Sequence, residues 1–320
     1  MTVLVLTRST DATASQVARE LERRRVSVLR ADVGEFPLEM TMTADTTPRG
    51  DWRGVITLSS GESVQLDEID AIYYRRPTRF RLPADLPADQ QRFARAEARR
   101  ALAGLLLALP VRWLSHPSRV ADAELKPLQL QVAAQCGLRV PRTILTSDAA
   151  AVRQFAKQLG GPVIYKPLSA PSVPTRDGLK LVYTTQVDPE LLDPQDIALT
   201  ASLFQELVPK HHEVRLTVVD HQFFAAAIHA DSPQARLDWR SDYGSLRYET
   251  VDVPVNVRRG VSRLLQRLDL PFGALDFAVT PDGEWIFLEI NANGQWAWIE
   301  DQTGLPVTSA IVDYLEGGRP

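Results

Sequence analysis

The chain has 320 residues, 44% of them hydrophobic and 24% charged, which is enough apolar material for two or three compact units. Its formal net charge of -4 gives no sign of a nucleic-acid-binding surface. No stretch approaches a membrane span, and the start lacks a basic leader followed by a cleavage site. The single cysteine, Cys136, excludes an internal disulfide framework, so we expect a protein of the reducing cytoplasm that binds neither nucleic acid nor membrane.

The first third of the chain alternates strands and helices. The strand "TVLVLT", the helix "DATASQVARELERR" and the strand "VSVLRAD" predict a βαβ-type start. Because no glycine fingerprint follows the first strand, this unit is not predicted to bind a dinucleotide. Further elements are expected as strands at "GVITLSS", "AIYYRRP" and "RWLSHP" and as a long helix over residues 89–109. We place a boundary near Pro117, which gives an N-terminal unit of residues 1–117.

Two further units follow. A central unit, residues 118–200, is predicted from a helix at "DAELKPLQLQVAAQCG", a strand at "RVPRTILTS", a helix at "AAAVRQFAKQLGG" and a strand at "PVIYKPL". From about residue 200 the pattern is mostly β, which predicts an antiparallel, β-rich C-terminal unit of residues 201–320. Its elements are strands at "LFQELV", "EVRLTVVD", "QFFAAAIHA" and "LRYETVDVP", a helix at "VRRGVSRLLQRLD" and a closing hairpin. The fold class is therefore α/β (α+β).

The closing hairpin brings two carboxylates together. Asp282-Gly283 is a favoured two-residue turn, which would place Asp276 directly opposite Glu289. One face then carries Asp276, Glu289 and Asn291 with Ala274, Ala278 and Phe287, and the other carries Leu275, Phe277, Val279, Ile286, Leu288 and Ile290. Opposed carboxylates repel unless a cation lies between them, and oxygen-only ligands suit Mg²⁺. Removing either carboxylate should then not destabilise the metal-free chain. The alternative is that Glu289 pairs with an arginine of the adjacent helix.

Lysine is scarce. Of 36 basic residues only five are lysine, namely Lys126, Lys157, Lys166, Lys180 and Lys210. Where arginine is so strongly preferred, a retained lysine is more often required as a compact point charge, for example on a phosphate. The alternative is chance together with solvated surface.

The order of several motifs resembles the ATP-grasp superfamily over about residues 118–300. The motifs are Lys126 early in a helix, Lys166 in "VIYKP", the segment "QELV" followed by Lys210 and "EVR", and the closing "LDF" and "FLEIN". Three of the five lysines fall on these motifs. Within the superfamily, "DAIYYRRP" and "NGQWAWIE" resemble the graspetide (microviridin-type) peptide maturases. The resemblance implies an ATP-grasp fold with an N-terminal pre-ATP-grasp domain, a central domain and a C-terminal domain that carries the metal site.

The resemblance also implies a site for ATP and Mg²⁺. Lys126 and Lys166 match the lysines that hold the α- and β-phosphates. The segment Gln205 to Val208 matches the one that offers backbone groups of Glu206 and Val208 to adenine, with Lys210 nearby. Glu213 matches the ribose ligand, and Arg215 lies where it can reach the γ-phosphate. Asp276, Glu289 and Asn291 match the ligands of Mg²⁺.

Other residues are candidates for binding the substrate. Arg75 and Arg76 leave a strand end and suit an acidic substrate, although both can be merely solvated. Either Arg236 or Arg240 is expected to hold the carboxylate being activated; the alternative is an exposed pair with Asp238. The "NGQWAW" loop, with Asn293 and Trp296, is expected to contact a peptide. The segment "SAPSVPTRDGLKL" reads either as a lid over the phosphates or as an ordinary hairpin loop.

The resemblance implies an ADP-forming ligase that activates Asp or Glu side chains of a ribosomally made precursor peptide with a leader. The acyl phosphate is closed onto Ser/Thr hydroxyls or Lys amines, which makes the enzyme a macrocyclase. Alternatives are a carboxylate–amine ligase that adds free amino acids, a small-molecule kinase of the same fold, and a non-catalytic nucleotide-binding regulator. Homodimer formation stays open.

Overall fold

The N-terminal part contains a parallel sheet. The structure, a computed structural model, describes residues 1–169, 172–175 and 178–317, with backbone alone for 172–175 and 178–181. Four parallel strands lie in the order β2-β1-β6-β7. The elements of this layer are β1 (Thr2–Leu6), α1 (Ala12–Arg23), β2 (Ser27–Ala31), β6 (Ile69–Tyr74), α2 (Ala88–Ala108) and β7 (Arg112–Leu114). The side chain of Asp11 accepts the Ala14 N–H and so caps α1, as the sequence predicts.

A small antiparallel sheet is inserted between β2 and β6. Its strands are β3 (Met40–Thr46), β4 (Trp52–Leu58) and β5 (Ser63–Gln65). The sequence predicts β4 and misses β3 and β5. Strand β3, "MTMTADT", buries only Met40 fully, so its apolar alternation is weak.

The central part is built on an antiparallel sheet of order β12-β9-β13-β8. Its elements are α3 (Pro117–Ala123), α4 (Lys126–Gln135), β8 (Thr143–Thr146), α5 (Ala149–Leu159), β9 (Val163–Lys166), β12 (Thr185–Val187), α6 (Pro194–Ala198) and β13 (Ser202–Glu206). The single helix predicted over 122–137 is two helices, broken at Glu124 and Leu125. Pro127 has no N–H to continue a helix from the preceding turn, so α4 begins afresh and Lys126 is its first residue.

The segment expected to be a lid contains a separate hairpin. Strands β10 (Ser172–Thr175) and β11 (Gly178–Leu181) pair antiparallel with each other. Residues 170, 171, 176 and 177 of this segment lie outside the described part of the chain. Closure of the segment over a ligand stays a prediction.

The C-terminal part is a five-stranded antiparallel sheet of order β16-β15-β14-β17-β18. Its elements are β14 (His212–Val219), β15 (Gln222–Ala230), α7 (Pro233–Leu237), β16 (Leu246–Thr250), α8 (Val255–Leu268), β17 (Phe272–Val279), β18 (Trp285–Asn291), α9 (Ala297–Thr303) and α10 (Val307–Glu316). One face of the sheet packs on α4 and α8. The sequence analysis missed α9 and α10. Helix α10 packs on α1 of the N-terminal part, so the chain ends against its own beginning.

The β17–β18 hairpin has a different turn from the predicted one. The loop has three residues, Pro281 to Gly283, because the Thr280 N–H donates to the Glu284 carbonyl at 3.0 Å and Gly283 has φ +86°. A bulge in β18 offsets the extra loop residue, so Asp276 still lies opposite Glu289, as predicted.

The same bulge changes which side chains of β18 face the core. Phe287, predicted on the polar face, packs in the core against Phe277 at a ring distance of 5.7 Å. Ile286 and Leu288, predicted in the core, leave it: Ile286 pairs with Ala278, and Leu288 lines a cleft. None of the helices in the described residues is long and apolar enough to cross a membrane.

Candidate active site

A cleft lies between the central sheet and the five-stranded sheet. The predicted nucleotide-binding residues that line it are Lys166, Gln205, Glu206, Val208, Lys210 and Glu213. Apolar side chains including Ile164, Leu207 and Leu288 complete its walls. Residues that are far apart in the sequence therefore meet in one place, which suits an amphipathic ligand such as a nucleotide.

Three charged side chains form a row across neighbouring strands at the cleft. Arg215 on β14 lies opposite Asp276 on β17, which lies opposite Glu289 on β18. Arg215 Nη1 donates to Asp276 Oδ1 at 2.9 Å, and both side chains are buried. The face-to-face register of the two carboxylates is as predicted.

Each carboxylate has a cation of its own, however. Lys126 Nζ on α4 donates to Glu289 Oε2 at 2.5 Å, and Arg240 Nη1 donates to Glu289 Oε1 at 3.4 Å. The expectation of an uncompensated repulsive pair is therefore wrong, because long-range contacts neutralise each acid separately. The alternative for Glu289 is partly right: its partners are a lysine of the adjacent helix and an arginine from a loop.

The two carboxylates titrate in opposite directions. Burial raises the pKa of Asp276 to about 6, against the opposing charge of Arg215. Burial also acts to raise the pKa of Glu289, but the charges of Lys126, Lys166 and Arg240 outweigh it and hold that pKa well below its usual range. Glu289 is thus a stable anion, whereas Asp276 is a poorly solvated one.

Lys166 is a buried cation without a partner in the described part of the chain. It ends β9 and is 7% exposed, and no described carboxylate lies within ion-pair distance of its ammonium group. Burial lowers its pKa, although the charge of Glu289 acts in the other direction. A buried ammonium group that faces a cleft and lacks a counter-ion is typical of an anion-binding site.

The strand β13 stops where adenine is expected to bind. The Glu206 N–H donates to the Arg142 carbonyl at 3.0 Å, and the Leu207 N–H donates to the Pro162 carbonyl at 3.0 Å. The backbone of Val208 makes no hydrogen bond to any described residue. Beyond, Lys210 Nζ donates to Glu213 Oε1 at 2.6 Å. A backbone with free polar groups beside apolar walls can hydrogen-bond the edge of a base.

The first cleft continues into a larger one of about 910 Å³, which Lys166, Arg240 and Glu289 also line. This larger cleft is called the substrate cleft below. Of the predicted site residues, it adds Lys126, Arg76, Asn291 and Asn293. The Asn291 amide donates to Glu289 Oε1 at 3.4 Å. Its volume is large for a single amino acid and fits a peptide segment.

Three predicted site residues are not brought to either cleft. Arg75 is 1% exposed, and its guanidinium is held by Asp11 Oδ2 at 3.1 Å and Gln295 Oε1 at 2.5 Å. Trp296 is completely buried in the core between the N-terminal sheet and α10. Arg236 is exposed at the end of α7, where its Nε donates to the Ala230 carbonyl. Of the two loop arginines, only Arg240 reaches the clefts.

The sequence analysis missed an aromatic support under the arginines. The Trp239 ring lies 5.7 Å from Arg215 Cζ and 5.6 Å from Arg240 Cζ, and it stacks against Trp298 at 5.1 Å. Asp238 holds Arg240 Nε at 2.8 Å. The alternation of charged and aromatic residues in "LDWRSDYG" was the available signal.

The residues present fit a magnesium ion. Mg²⁺ typically takes one or two carboxylates and completes its shell with water and phosphate oxygens. Asp276 Oδ2 is buried without a hydrogen-bond partner in the described residues, and Asn291 adds an amide oxygen beside Glu289. No group of three or more His, Cys, Asp or Glu side chains in the described residues could hold a metal ion. A site here therefore needs oxygen ligands from a bound nucleotide as well.

Comparison with known proteins places this architecture. Residues 2–121 match the family model of the MvdD pre-ATP grasp domain, and residues 180–303 match the model of a clade family 3 ATP-grasp domain. The crystal structure of macrocyclase MdnC bound with precursor peptide MdnA from Microcystis aeruginosa MRC is 29% identical over 99% of both chains, with a TM-score of 0.85. Macrocyclase MdnB of the same organism is also 29% identical over 99% of both chains, with a TM-score of 0.82.

A Chryseobacterium gregarium RiPP-associated ATP-grasp ligase, in complex with ADP and a leader and core peptide, has a TM-score of 0.89 at 24% identity. That match covers 98% of this chain and 96% of that chain. A search of curated proteins found no match. The predicted α/β ATP-grasp fold is confirmed. The chain belongs to the ATP-grasp superfamily and, within it, resembles the graspetide-type peptide maturases.

Proposed function

We propose that the chain is an ADP-forming ATP-grasp ligase that closes rings in a ribosomally made precursor peptide with a leader. It activates Asp or Glu side chains as acyl phosphates and links them to Ser/Thr hydroxyls or Lys amines. The observation that carries the proposal is the junction of two clefts at Lys166, Arg240 and Glu289. A nucleotide-sized cleft with an unpaired buried lysine meets there a cleft large enough for a peptide. The MdnC structure, which contains a precursor peptide, supports a peptide as the substrate.

The nucleotide occupies the cleft between the two sheets in this proposal. Lys166 and Lys126 bind phosphate oxygens, the backbone at Glu206 and Val208 binds adenine, and Glu213 binds the ribose. Mg²⁺, held by Asp276, Glu289 and Asn291, would neutralise phosphate charge during phosphoryl transfer. Since Lys126 now pairs with Glu289, binding of a phosphate by Lys126 also releases this carboxylate as a ligand.

The substrate carboxylate approaches from the substrate cleft. Arg240, fixed by Asp238 and Trp239, holds it, while Arg215 faces the γ-phosphate. A carboxylate oxygen attacks the γ-phosphorus and ADP leaves. A hydroxyl or amine of the same peptide then attacks the acyl carbon, and inorganic phosphate leaves. The peptide loses one water per ring, and the chain supplies no covalent nucleophile.

Ring closure by a hydroxyl depends on positioning. A hydroxyl is a poor nucleophile in water, but when held against an activated carbonyl it gains an effective molarity that reaches roughly 10⁵ M or more. The residues proposed to hold the peptide chain are Arg76 and Asn293, which line the substrate cleft. Arg75 and Trp296 support the loop that carries Asn293 from behind.

The remaining expectations belong to this proposal too. The chain is divided into units of 1–117, 118–200 and 201–320, and it acts in the cytoplasm. Neither a nucleic acid nor a membrane is a partner. The surface that binds the leader and the formation of a homodimer are left open.

Mass spectrometry tests the proposal directly. The candidate precursor encoded beside this chain is incubated with enzyme, ATP and Mg²⁺, with hydroxylamine in a parallel tube to trap the acyl phosphate. A macrocyclase leaves the peptide lighter by one water per ring and gives a hydroxamate in the trap. A kinase leaves it heavier by a phosphoryl group, and a regulator leaves it unchanged. Consumption of free amino acids without change of any peptide would identify an amino-acid ligase and overturn the proposal.

A further inference from the structure

We propose that Arg76 and Arg99 form a second anion subsite on the N-terminal wall of the substrate cleft. This subsite takes a carboxylate of the acidic peptide other than the one being activated. The inference rests on the proposed function, and it adds a specificity element: the enzyme prefers peptides with two acidic side chains over peptides with one.

Arg76 is oriented by the backbone. It follows β6 with φ +46°, an uncommon conformation for a non-glycine residue, which turns its side chain away from its buried neighbour Arg75. Its Nε donates to the Asn293 carbonyl at 3.4 Å, and it makes no ion pair with a described residue. Its side chain lines the substrate cleft, so the two terminal guanidinium nitrogens are free to bind an anion.

Arg99 reaches the same cleft from helix α2. It is exposed, and within the described residues it has neither an ion pair nor a hydrogen bond. Tyr74 lies between the N-terminal elements of this wall. Burial raises the pKa of Tyr74, and Arg99 and Glu124 then act on it in opposite directions, which places both charges near this ring. The wall thus carries two arginines and one glutamate.

The other acids of the substrate cleft do not neutralise these arginines. Asp238 is bound to Arg240 at 2.8 Å, and Glu289 is bound to Lys126 at 2.5 Å. Only Glu124 among the described cleft residues opposes the two arginines, so the N-terminal wall keeps an excess of positive charge. This excess lies on the opposite side of the cleft from Arg240, which comes from the C-terminal part. A peptide that spans the cleft can therefore place one carboxylate at each wall.

Equilibrium binding tests the subsite apart from catalysis. A fluorescein-labelled synthetic peptide with two glutamates and one threonine is titrated with the full chain in the presence of ADP and Mg²⁺, by fluorescence polarisation. A second peptide carries glutamine in place of one glutamate. We expect Arg76→Gln/Arg99→Gln to bind the diacid peptide about tenfold more weakly, since each exposed charge pair contributes up to about fivefold. The preference for the diacid peptide should disappear, and added salt should weaken wild-type binding more than binding by the variant.

Two further variants control for net charge. Arg92→Gln/Arg100→Gln removes two positive charges from the same helix at exposed positions that do not line the cleft, and we expect wild-type affinity. Glu124→Gln removes the opposing acid and should tighten binding of the diacid peptide by about twofold. Thermal melting of each variant checks the fold.

The subsite is overturned if wild type does not prefer the diacid peptide, or if the Arg92/Arg100 variant loses as much affinity as the Arg76/Arg99 variant. These results are independent of ring formation. If the arginine variant weakens binding but no peptide loses water in the mass-spectrometry assay, the subsite stands and the macrocyclase proposal fails. If peptides are cyclised but the arginines make no difference to binding, the reverse holds.

Discussion

Removal of the Glu289 carboxylate should strongly destabilise the metal-free chain. Glu289 is 5% exposed and is the counter-ion of Lys126 at 2.5 Å and of Arg240 at 3.4 Å. The substitution Glu289→Gln keeps the shape but leaves these cations, with Lys166 nearby, without that charge. Removing one partner of a buried ion pair costs about 3–5 kcal/mol, and part of this loss is offset here because Asp238 still binds Arg240. We expect a loss of about 3 kcal/mol of unfolding free energy.

The same hairpin offers a matched control. Glu284, just before β18, pairs with Arg139 at 2.9 Å, but both side chains are well exposed. Glu284→Gln should cost less than about 1 kcal/mol, because water replaces the lost partner. Urea unfolding of both variants, without nucleotide and with a chelator, measures the difference through the shift of the midpoint at constant slope. Adding Lys126→Met to Glu289→Gln should recover part of the loss, since one unpaired cation is then absent.

The pH dependence supplies an internal check. The pKa of Glu289 lies well below its ordinary value of 4.5, so its stabilisation is fully present above pH 4.5 and is lost as the pH falls through the folded-state value. The gap between wild type and Glu289→Gln should therefore be constant near neutral pH and close in acid. If Glu289→Gln loses no more stability than Glu284→Gln, or if Lys126→Met worsens it further, the assignment of Glu289 as a buried counter-ion is wrong.

Three further predictions concern other parts of the site. Lys166→Met should weaken ATP binding at least about tenfold in calorimetry and leave peptide binding intact, since its proposed partner is a phosphate; equal ATP affinity would show that Lys166 binds no phosphate. Because burial raises the pKa of Asp276 from 3.8 to about 6, the folded metal-free chain takes up a proton there that the unfolded chain lacks. Its contribution to stability is present below pH 3.8 and is lost as the pH rises through about 6, so Asp276→Asn should flatten the change in urea midpoint between about pH 4 and 6.5, and an unchanged profile would contradict this. Arg75→Lys should lower the melting temperature and ring-forming turnover, because lysine cannot hold Asp11, Gly294 and Gln295 together; Arg236→Gln should change neither, and equal effects of the two substitutions would refute the supporting role of Arg75.

Much of the local structure could be predicted from the sequence. The βαβ start, Lys126 at the beginning of a helix, and the register of Asp276 opposite Glu289 all follow from short-range patterns of burial and turn residues. The hairpin register was correct for an incomplete reason. The loop has one residue more than a two-residue turn, and the bulge in β18 removes the difference before Glu289 is reached. Phe287 and Leu288, which lie between the turn and Glu289, therefore exchanged faces.

The partners of the charged and aromatic residues were decided only by the tertiary structure. Arg75 and Arg76 are neighbours at a strand end, yet Arg75 is buried against Asp11 and Gln295 while Arg76 faces the substrate cleft. Trp296 fills the core beneath α10, whereas Trp298, two residues on, stacks on Trp239. Nothing within a few residues of these positions distinguishes them.

The physical reason is the range of the interactions. Dihedral preferences, turn chemistry and the alternation of apolar residues act over a few positions, so the sequence alone determined the elements and the facing carboxylates. The cost of burying a charge is offset only by a specific partner in space, and here that partner is distant in sequence. Lys126 lies 163 residues before Glu289, and Arg75 lies 220 residues before Gln295. Only the packing of the N-terminal, central and C-terminal parts against one another decided which cations hold the structure together and which face the substrate cleft.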